Sequence, residues 1–167
     1  VGVMVKNIFE EFAWRGYLTP RFDSLRLHPL INATLTGFIW AGWHIPYYLY
    51  YLDRETLTAH TPLNLSVFIL LSFLVLPFHA LAYGELRLIS GSVWPSWLLH
   101  NVANAISLTL VSGGFMVLPR SFAGVLFSPG TEGIFSSLLM GVVGVVLYRY
   151  RRQQSQTAAQ PVLRSIA

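Results

Sequence analysis

The sequence contains no cysteine and few charged residues. Of its 167 residues, 11% are charged and none is cysteine. The absence of cysteine excludes a disulfide framework, a thiol nucleophile and a zinc site built from thiolates. The sequence also has no internal repeat and no basic stretch interleaved with aromatic residues, so no nucleic-acid partner is expected.

Apolar residues dominate what remains, at 54% of the chain with a mean hydropathy of +0.55. A helix of about 20 apolar residues spans the hydrocarbon core of a bilayer. Four runs of about that length and a shorter one at the start are present: 1–18, 30–52, 63–83, 93–112 and 133–148. The sequence therefore predicts an all-α fold, a polytopic transmembrane helical bundle with about five membrane-embedded helices.

Basic residues predict the orientation and the domain limits. Residues 148–152 read YRYRR, and alternating helices place Arg87 and the loop of Arg21 and Arg26 on the same side as that segment. By the positive-inside rule we expect the C-terminus in the cytoplasm. We predict a core at 6–148 and a basic, disordered cytoplasmic tail at 149–167. Because the chain begins with Val1 and no charged flank, we also expect upstream sequence to be missing and the helix count to be a minimum.

Three ionisable residues interrupt the first apolar run: Glu10, Glu11 and Arg15. Carboxylates at membrane depth are costly and usually face the bundle interior. Glu11 and Arg15 are four residues apart, which predicts an ion pair on one helix face. Glu10 lies about 100° around the axis and is left without that partner. The alternative is an interfacial triplet near a helix end whose side chains reach the bilayer surface.

Two other runs carry polar residues of complementary chemistry. In the run 30–52, His44 follows Trp40 by four residues. In the run 93–112, His100 and Asn104 are four residues apart, so they share one face of that helix. At about 1.5 Å per residue from the predicted cytoplasmic ends of the helices, the depth in the membrane is roughly 12 Å for Glu10, 20 Å for His44, 10 Å for His100 and 16 Å for Asn104. These depths fall in one slab, so the sequence predicts that the four side chains surround a water-sized space open toward the cytoplasm.

That set of side chains predicts hydrolytic chemistry. A glutamate with no adjacent serine or cysteine nucleophile can act as a general base on water. His44 can hold the same water. His100 and Asn104 can donate hydrogen bonds to the oxyanion that forms when water adds to an amide carbonyl. Singly, each histidine is also explained as a group that links packed helices.

The motifs resemble those of a known family. EEFAWR (10–15) looks like the EExxxR signature, WAGWH (40–44) like the aromatic-xxx-His signature, and HNVAN (100–104) like the HxxxN signature of the CPBP family. That family includes type II CAAX prenyl proteases and Abi-like bacteriocin-processing or immunity proteins. The order of the motifs matches over 6–148. Trp40 stands where the usual pattern has phenylalanine, and the helices that normally precede EExxxR are absent.

The resemblance implies roles for the residues that match. Glu10 would be the general base, His44 would position the water, and His100 with Asn104 would stabilise the oxyanion, while Glu11, Arg15 and the Trp40 aromatic wall would support the site. No metal is favoured. The alternative is Zn²⁺ held by Glu10, His44 and His100, with one position left for water. Against that alternative, Asn104 is a poor zinc ligand and no HExxH spacing is present.

Three functions stay open at this point. The first is an intramembrane endopeptidase that cleaves a membrane-associated peptide or protein, CAAX-type or bacterial. The second is a non-catalytic immunity or scaffold protein of the same family, in which the polar cluster only stabilises the bundle. The third is a small transporter that uses the cluster as a proton relay. All three place the chain in a lipid bilayer, and the resemblance implies a bacterial or archaeal plasma membrane.

Overall fold

The computed structural model describes residues 2–52 and 54–164, and every regular element within them is helical. Val1 of the first predicted run and residues 165–167 of the predicted tail lie outside these residues. The elements are α1 (Gly2–Glu11), π1 (Phe12–Leu18), α2 (Thr19–Ser24), α3 (Pro29–Tyr50), α4 (Arg54–His60), α5 (Leu65–Ser90), α6 (Trp94–Ser107), π2 (Leu108–Ser112), α7 (Phe122–Phe127) and α8 (Ile134–Arg164). The backbone stays helical where α1, π1 and α2 meet and where α6 and π2 meet.

The all-α prediction is confirmed for the described residues, whereas five membrane-spanning helices are not. Two of the described helices are long and apolar enough to cross a membrane, Leu65–Ser90 and Ile134–Thr157. The α-helices α1 and α6 are 10 and 14 residues long, since a π-helical segment follows each of them. Helix α3 is long enough but carries Asn32 and His44, which lower its apolar character.

Helix α5 lies between α3 and α8 and makes the most extensive contacts with both. Small residues permit this packing. A Cβ atom added to Gly37 of α3 would lie 2.6 Å from the backbone of Pro77 in α5, and one added to Gly144 of α8 would lie 2.6 Å from Leu81. Close backbone approach at small residues is a common basis of helix association in membranes.

A second packing contact links α5 to α8 through polar side chains. The buried His79 Nε2 lies 3.1 Å from Ser137 Oγ, and that hydroxyl donates to the backbone oxygen of Thr131 at 3.0 Å. Since the serine proton is directed to a carbonyl, the hydroxyl accepts from His79. The pair therefore holds two helices together and is not arranged as a serine nucleophile with its base.

The first helical segment and α6 complete the bundle. α1 packs on α6, while π1 contacts α3 and α5. The buried core where these elements meet consists of Trp14, Trp40, Ala41, Leu76, Ala82 and Tyr83. Half of this core comes from π1 and α3, which carry predicted site residues, and half comes from α5, which carries none.

Charged side chains join the ends of three helices. Arg151 of α8 donates to both carboxylate oxygens of Glu85 in α5, at 2.6 and 2.9 Å, and lies 3.6 Å from Asp23 of α2. The segments that the basic pattern assigned to one side of the membrane thus meet at one end of the bundle. Which side of a membrane that end faces stays a prediction.

The C-terminal segment differs from the disordered tail that the sequence predicted. α8 continues past residue 149 to Arg164. Glutamine and alanine are good helix formers, and extending a helix that already exists avoids the cost of nucleation. Side chains from Arg152 to Thr157 are exposed, which agrees with their polar character.

Candidate active site

The indole of Trp40 lies at the centre of the predicted site. Its side chain is 1% exposed, and its ring centroid lies 6.2 Å from that of His44 and 5.4 Å from that of His100. Its Nε1 donates to Oε2 of Glu10 at 3.3 Å. Side chains from α1, α3 and α6 therefore converge on one aromatic residue.

Glu10 is buried but has a connection to the surface of the described chain. Its residue is 5% exposed, and Oε1 accepts from Nζ of Lys6 at 2.8 Å. The Lys6 side chain is half exposed. The sequence left Glu10 without an ion-pair partner, yet Lys6 precedes it by four residues, and that spacing would have identified the pair.

Glu11 and Arg15 form the predicted ion pair, with Arg15 Nη1 donating to Oε1 of Glu11 at 2.9 Å. Both side chains are 0% exposed. The guanidinium carbon of Arg15 lies 4.3 Å from the ring centroid of Trp40 and 4.7 Å from that of Tyr83. Stacking between two aromatic faces stabilises a cation that lacks water.

His100 binds Glu11 and not Glu10. Its Nδ1 lies 2.8 Å from Oε1 of Glu11, the oxygen that also accepts from Arg15. The other oxygen of Glu11 and two guanidinium nitrogens of Arg15, Nε and Nη2, have no hydrogen-bond partner among the described protein atoms. Glu11 thus connects the charged residues of α1 and π1 to α6, a link that spacing within one helix could not predict.

The ring of His44 has a defined orientation. Its Nδ1 lies 2.9 Å from the backbone oxygen of Trp40. A carbonyl oxygen only accepts, so Nδ1 carries the hydrogen and Nε2 of the neutral ring is left with a lone pair. The ring stacks on Tyr48 at 5.7 Å, and the Tyr48 hydroxyl donates to Oε1 of Glu132 at 3.2 Å.

Asn104 lies one turn along α6 from His100 and binds a different residue of α1. Its Nδ2 donates to Oδ1 of Asn7 at 3.3 Å. Asn7 in turn precedes Glu11 by four residues. Two side chains one turn apart on α6 therefore pair with two side chains one turn apart on α1, in antiparallel register. Asn7, which is fully buried, was not among the predicted residues, although an amide within an apolar run is itself a signal.

A π-helical segment begins directly after Glu11. π1 contains Arg15, whose backbone oxygen accepts from Nε of Arg87 at 3.1 Å. Segments of π-helix are uncommon and occur often at functional sites. Here π1 places Arg15 between the rings of Trp40 and Tyr83, and a side chain from α5 binds one of the carbonyl groups of π1.

Among the described side chains, no group of three or more His, Asp or Glu is placed to hold a metal ion, and this includes the alternative set Glu10, His44 and His100. Each of the two histidines uses Nδ1 on a protein acceptor, the backbone oxygen of Trp40 or the carboxylate of Glu11, and Nε2 is the other ring nitrogen. The metal-free mechanism itself stays a prediction.

The expected water-sized space among Glu10, His44, His100 and Asn104 is not one of the main cavities in the described part of the chain. A cavity of about 220 Å³ lies near Tyr48, and Phe68 and Glu132, both in contact with Tyr48, line it. A groove of about 660 Å³ runs between α3, α5 and α8, with Arg149 at its edge. The large Trp40 side chain, where the family pattern has the smaller phenylalanine, fills the centre of the cluster.

The fold and the site define a class of protein, a helical membrane-embedded bundle with a buried cluster of carboxylates and histidines. A family model described as type II CAAX prenyl endopeptidase, Rce1-like, matches residues 1–106. The chain therefore belongs to this family of membrane-embedded proteases, which confirms the resemblance seen in its three motifs. Comparisons with curated proteins and with solved structures give no significant match.

Proposed function

We propose that the protein is an intramembrane endopeptidase in which Glu10 activates water to hydrolyse a peptide bond of a membrane-presented substrate. The observation that carries the proposal is the convergence of Glu10, His44 and His100 on Trp40, in a chain whose family model is described as a type II CAAX prenyl endopeptidase. In the first step Glu10 takes a proton from water while the water oxygen bonds to the carbonyl carbon of the substrate. The C–N bond then breaks, and the leaving nitrogen takes the proton from Glu10.

His44 is proposed to position the attacking water. Its Nδ1–H is held by the backbone oxygen of Trp40, so the Nε2 lone pair is the ring atom that can accept from water. The Glu10 carboxylate accepts from Lys6 and Trp40 through different oxygens, and each oxygen retains room for a further donor. Both acceptors that the water needs are therefore supplied by neighbouring residues.

His100 and Asn104 are proposed to stabilise the oxyanion. Donation from His100 Nε2 requires a doubly protonated ring, since Nδ1 is bonded to Glu11. Asn104 uses one Nδ2 hydrogen on Asn7 and retains the other. Hydrogen bonds that are in place before reaction and are strengthened as charge develops lower the barrier without reorganisation.

A substrate presented from the cytoplasmic side fits the basic end of the bundle, which we propose faces the cytoplasm of a bacterial or archaeal cell. We propose a C-terminal CAAX-type sequence or another bacterial peptide or protein as the substrate. No metal is part of the proposed mechanism.

The test is cleavage of a farnesylated peptide ending in CAAX, and of the same peptide without the lipid, by the protein in nanodiscs. We expect Glu10→Gln to lower kcat/KM by about 100-fold or more, because the general base is removed. The control is Glu55→Gln, which changes an exposed glutamate of α4 and should leave cleavage unchanged. Mass spectrometry of the products identifies the bond cleaved.

The alternative function, a non-catalytic immunity or scaffold protein, gains support from the filled centre of the cluster. Under that alternative the wild-type protein cleaves neither peptide, and Glu10→Gln preserves any protection that expression confers on cells. Cleavage by Glu10→Gln at the wild-type rate, with its thermal unfolding unchanged, would instead assign the chemistry to other residues.

A further inference from the structure

Three carboxamides form a continuous chain of hydrogen bonds between α1 and α6. Asn101 Nδ2 donates to the backbone oxygen of Trp97 at 2.8 Å, and Asn7 Nδ2 donates to Asn101 Oδ1 at 3.1 Å. Asn104 Nδ2 then donates to Asn7 Oδ1 at 3.3 Å. Asn7, in the middle, is 0% exposed. The chain thus runs from a backbone group to a residue proposed to bind the oxyanion.

The direction of every bond in this chain follows from its first member. A backbone carbonyl only accepts, so the Asn101 group that faces Trp97 must be its nitrogen. The Asn101 oxygen then faces Asn7, which must donate. The Asn7 oxygen consequently faces Asn104, which must also donate. Turning over any one amide would leave an atom of Asn7 facing a like atom, and Asn7 is fully buried, so the unsatisfied polar atom is costly.

We propose that Asn7 is a positioning residue. By accepting a hydrogen bond from Nδ2 of Asn104, it fixes the orientation of the Asn104 carboxamide, so that the remaining Nδ2 hydrogen keeps one direction. The inference rests on the proposed function, because that hydrogen is the one offered to the oxyanion. Preorganised donors contribute more to catalysis than donors that must turn during the reaction. Without Asn7, the Asn104 amide is free to turn over and present its oxygen, which repels an oxyanion.

The positions of the three residues support this role over simple packing. Asn7 lies three residues before Glu10 and four before Glu11, and Asn101 is the neighbour of His100. The same pair of helices therefore carries the proposed base, the proposed oxyanion donors and the amide chain. Amides also link packed helices in membranes, so it is the position of this chain, next to the proposed base and oxyanion donors, that supports the positioning role.

The kinetic test is a double-mutant cycle of Asn7→Ala and Asn104→Ala on peptide cleavage by the full chain in nanodiscs. We expect Asn7→Ala to lower kcat by about 10-fold with little change in KM, and the double variant to match Asn104→Ala alone. Asn7→Leu, which fills the space of the amide, is run in parallel and replaces the alanine variant if that variant does not fold. An unchanged kcat for Asn7→Leu, or additive losses in the cycle, overturns the proposal.

Asn64→Ala is the control for loss of stability. Asn64 caps α5 through a 3.0 Å bond from the Val67 amide, and it is exposed. We expect this variant to unfold at a lower temperature without a change in kcat. If it lowers kcat as much as Asn7→Leu does, general loosening explains both effects and the proposal fails.

A second measurement is independent of peptidase activity. In protein labelled with ¹⁵N-asparagine, we expect the Asn104 side-chain amide to exchange its protons slowly in the wild type and faster in Asn7→Leu, with Asn104→Ala providing the assignment. Equal exchange in the two proteins overturns the proposal. If the wild-type protein cleaves no peptide but Asn7→Leu speeds exchange, the proposed function fails while the positioning of Asn104 stands.

Discussion

His100 and Arg15 bind the same oxygen of Glu11, at 2.8 Å and 2.9 Å. One carboxylate oxygen thus joins the EExxxR motif of the first helix to the HxxxN motif of α6. Glu10, the neighbouring residue, points to a different set of partners, Lys6 and Trp40. Two adjacent glutamates therefore have separate tasks: Glu11 fixes the helices, and Glu10 is left for the proposed chemistry.

The buried ion pair predicts a stability effect of Glu11→Gln. Loss of the charge leaves Arg15 buried and uncompensated, which we expect to cost about 3–5 kcal/mol. Arg15→Met should cost a similar amount. The double variant should lose less stability than the sum of the two single losses, because neither charge remains buried. Denaturant unfolding in detergent measures all three. Additive losses would show that the pair contributes nothing beyond its separate side chains.

A Trp40→Phe variant tests the hydrogen bond between the Trp40 indole and Glu10. Trp40→Phe keeps an aromatic ring beneath Arg15 but removes the indole N–H that donates to Glu10 at 3.3 Å. We expect a several-fold change in kcat and a loss of stability of more than about 1 kcal/mol, because one hydrogen bond is lost and the smaller ring leaves a cavity in the core. Trp43→Phe is the control, since Trp43 is 62% exposed. Equal effects of the two changes would exclude a specific role for the Trp40 indole.

The contact between α3 and α5 predicts that Gly37→Ala is destabilising. An added Cβ would lie 2.6 Å from the Pro77 backbone, so the helices must separate, at a cost of about 1–3 kcal/mol. Gly42→Ala, in the same helix, adds a Cβ with nothing within 4 Å. Thermal unfolding in detergent compares the two variants. The packing would be wrong if Gly42→Ala were the more destabilising change.

The hydrogen bond between Tyr48 and Glu132 predicts a local effect on the segment between π2 and α8. Tyr48→Phe keeps the ring stacked on His44 but removes the 3.2 Å bond to Glu132. We expect faster amide exchange around Glu132, since a bond worth about 1 kcal/mol no longer holds the segment to α3. Tyr47→Phe, at a half-exposed position, is the control. Unchanged exchange in Tyr48→Phe would show that the bond does not restrain this segment.

The sequence by itself determined the helical class and most of the helix limits. Long apolar runs require helices, and the predicted runs at 30–52, 63–83 and 93–112 correspond to α3 (Pro29–Tyr50), α5 (Leu65–Ser90) and the continuous α6 and π2. It also determined the ion pair of Glu11 and Arg15, because residues four apart on one helix are neighbours whatever surrounds them. The family followed from three short motifs in order, and its model matches residues 1–106.

Only the tertiary structure decided which side chains meet between helices. The pairing of His100 with Glu11, the chain through Asn7 and the contact of Tyr48 with Glu132 depend on how each helix is rotated about its axis and shifted along it. Because successive residues lie about 100° apart around a helix, the sequence shows which residues share a face. It gives no register between two helices. Packing of large residues such as Trp40 and close approach at Gly37 fix those two quantities, and both arise only when the helices are assembled.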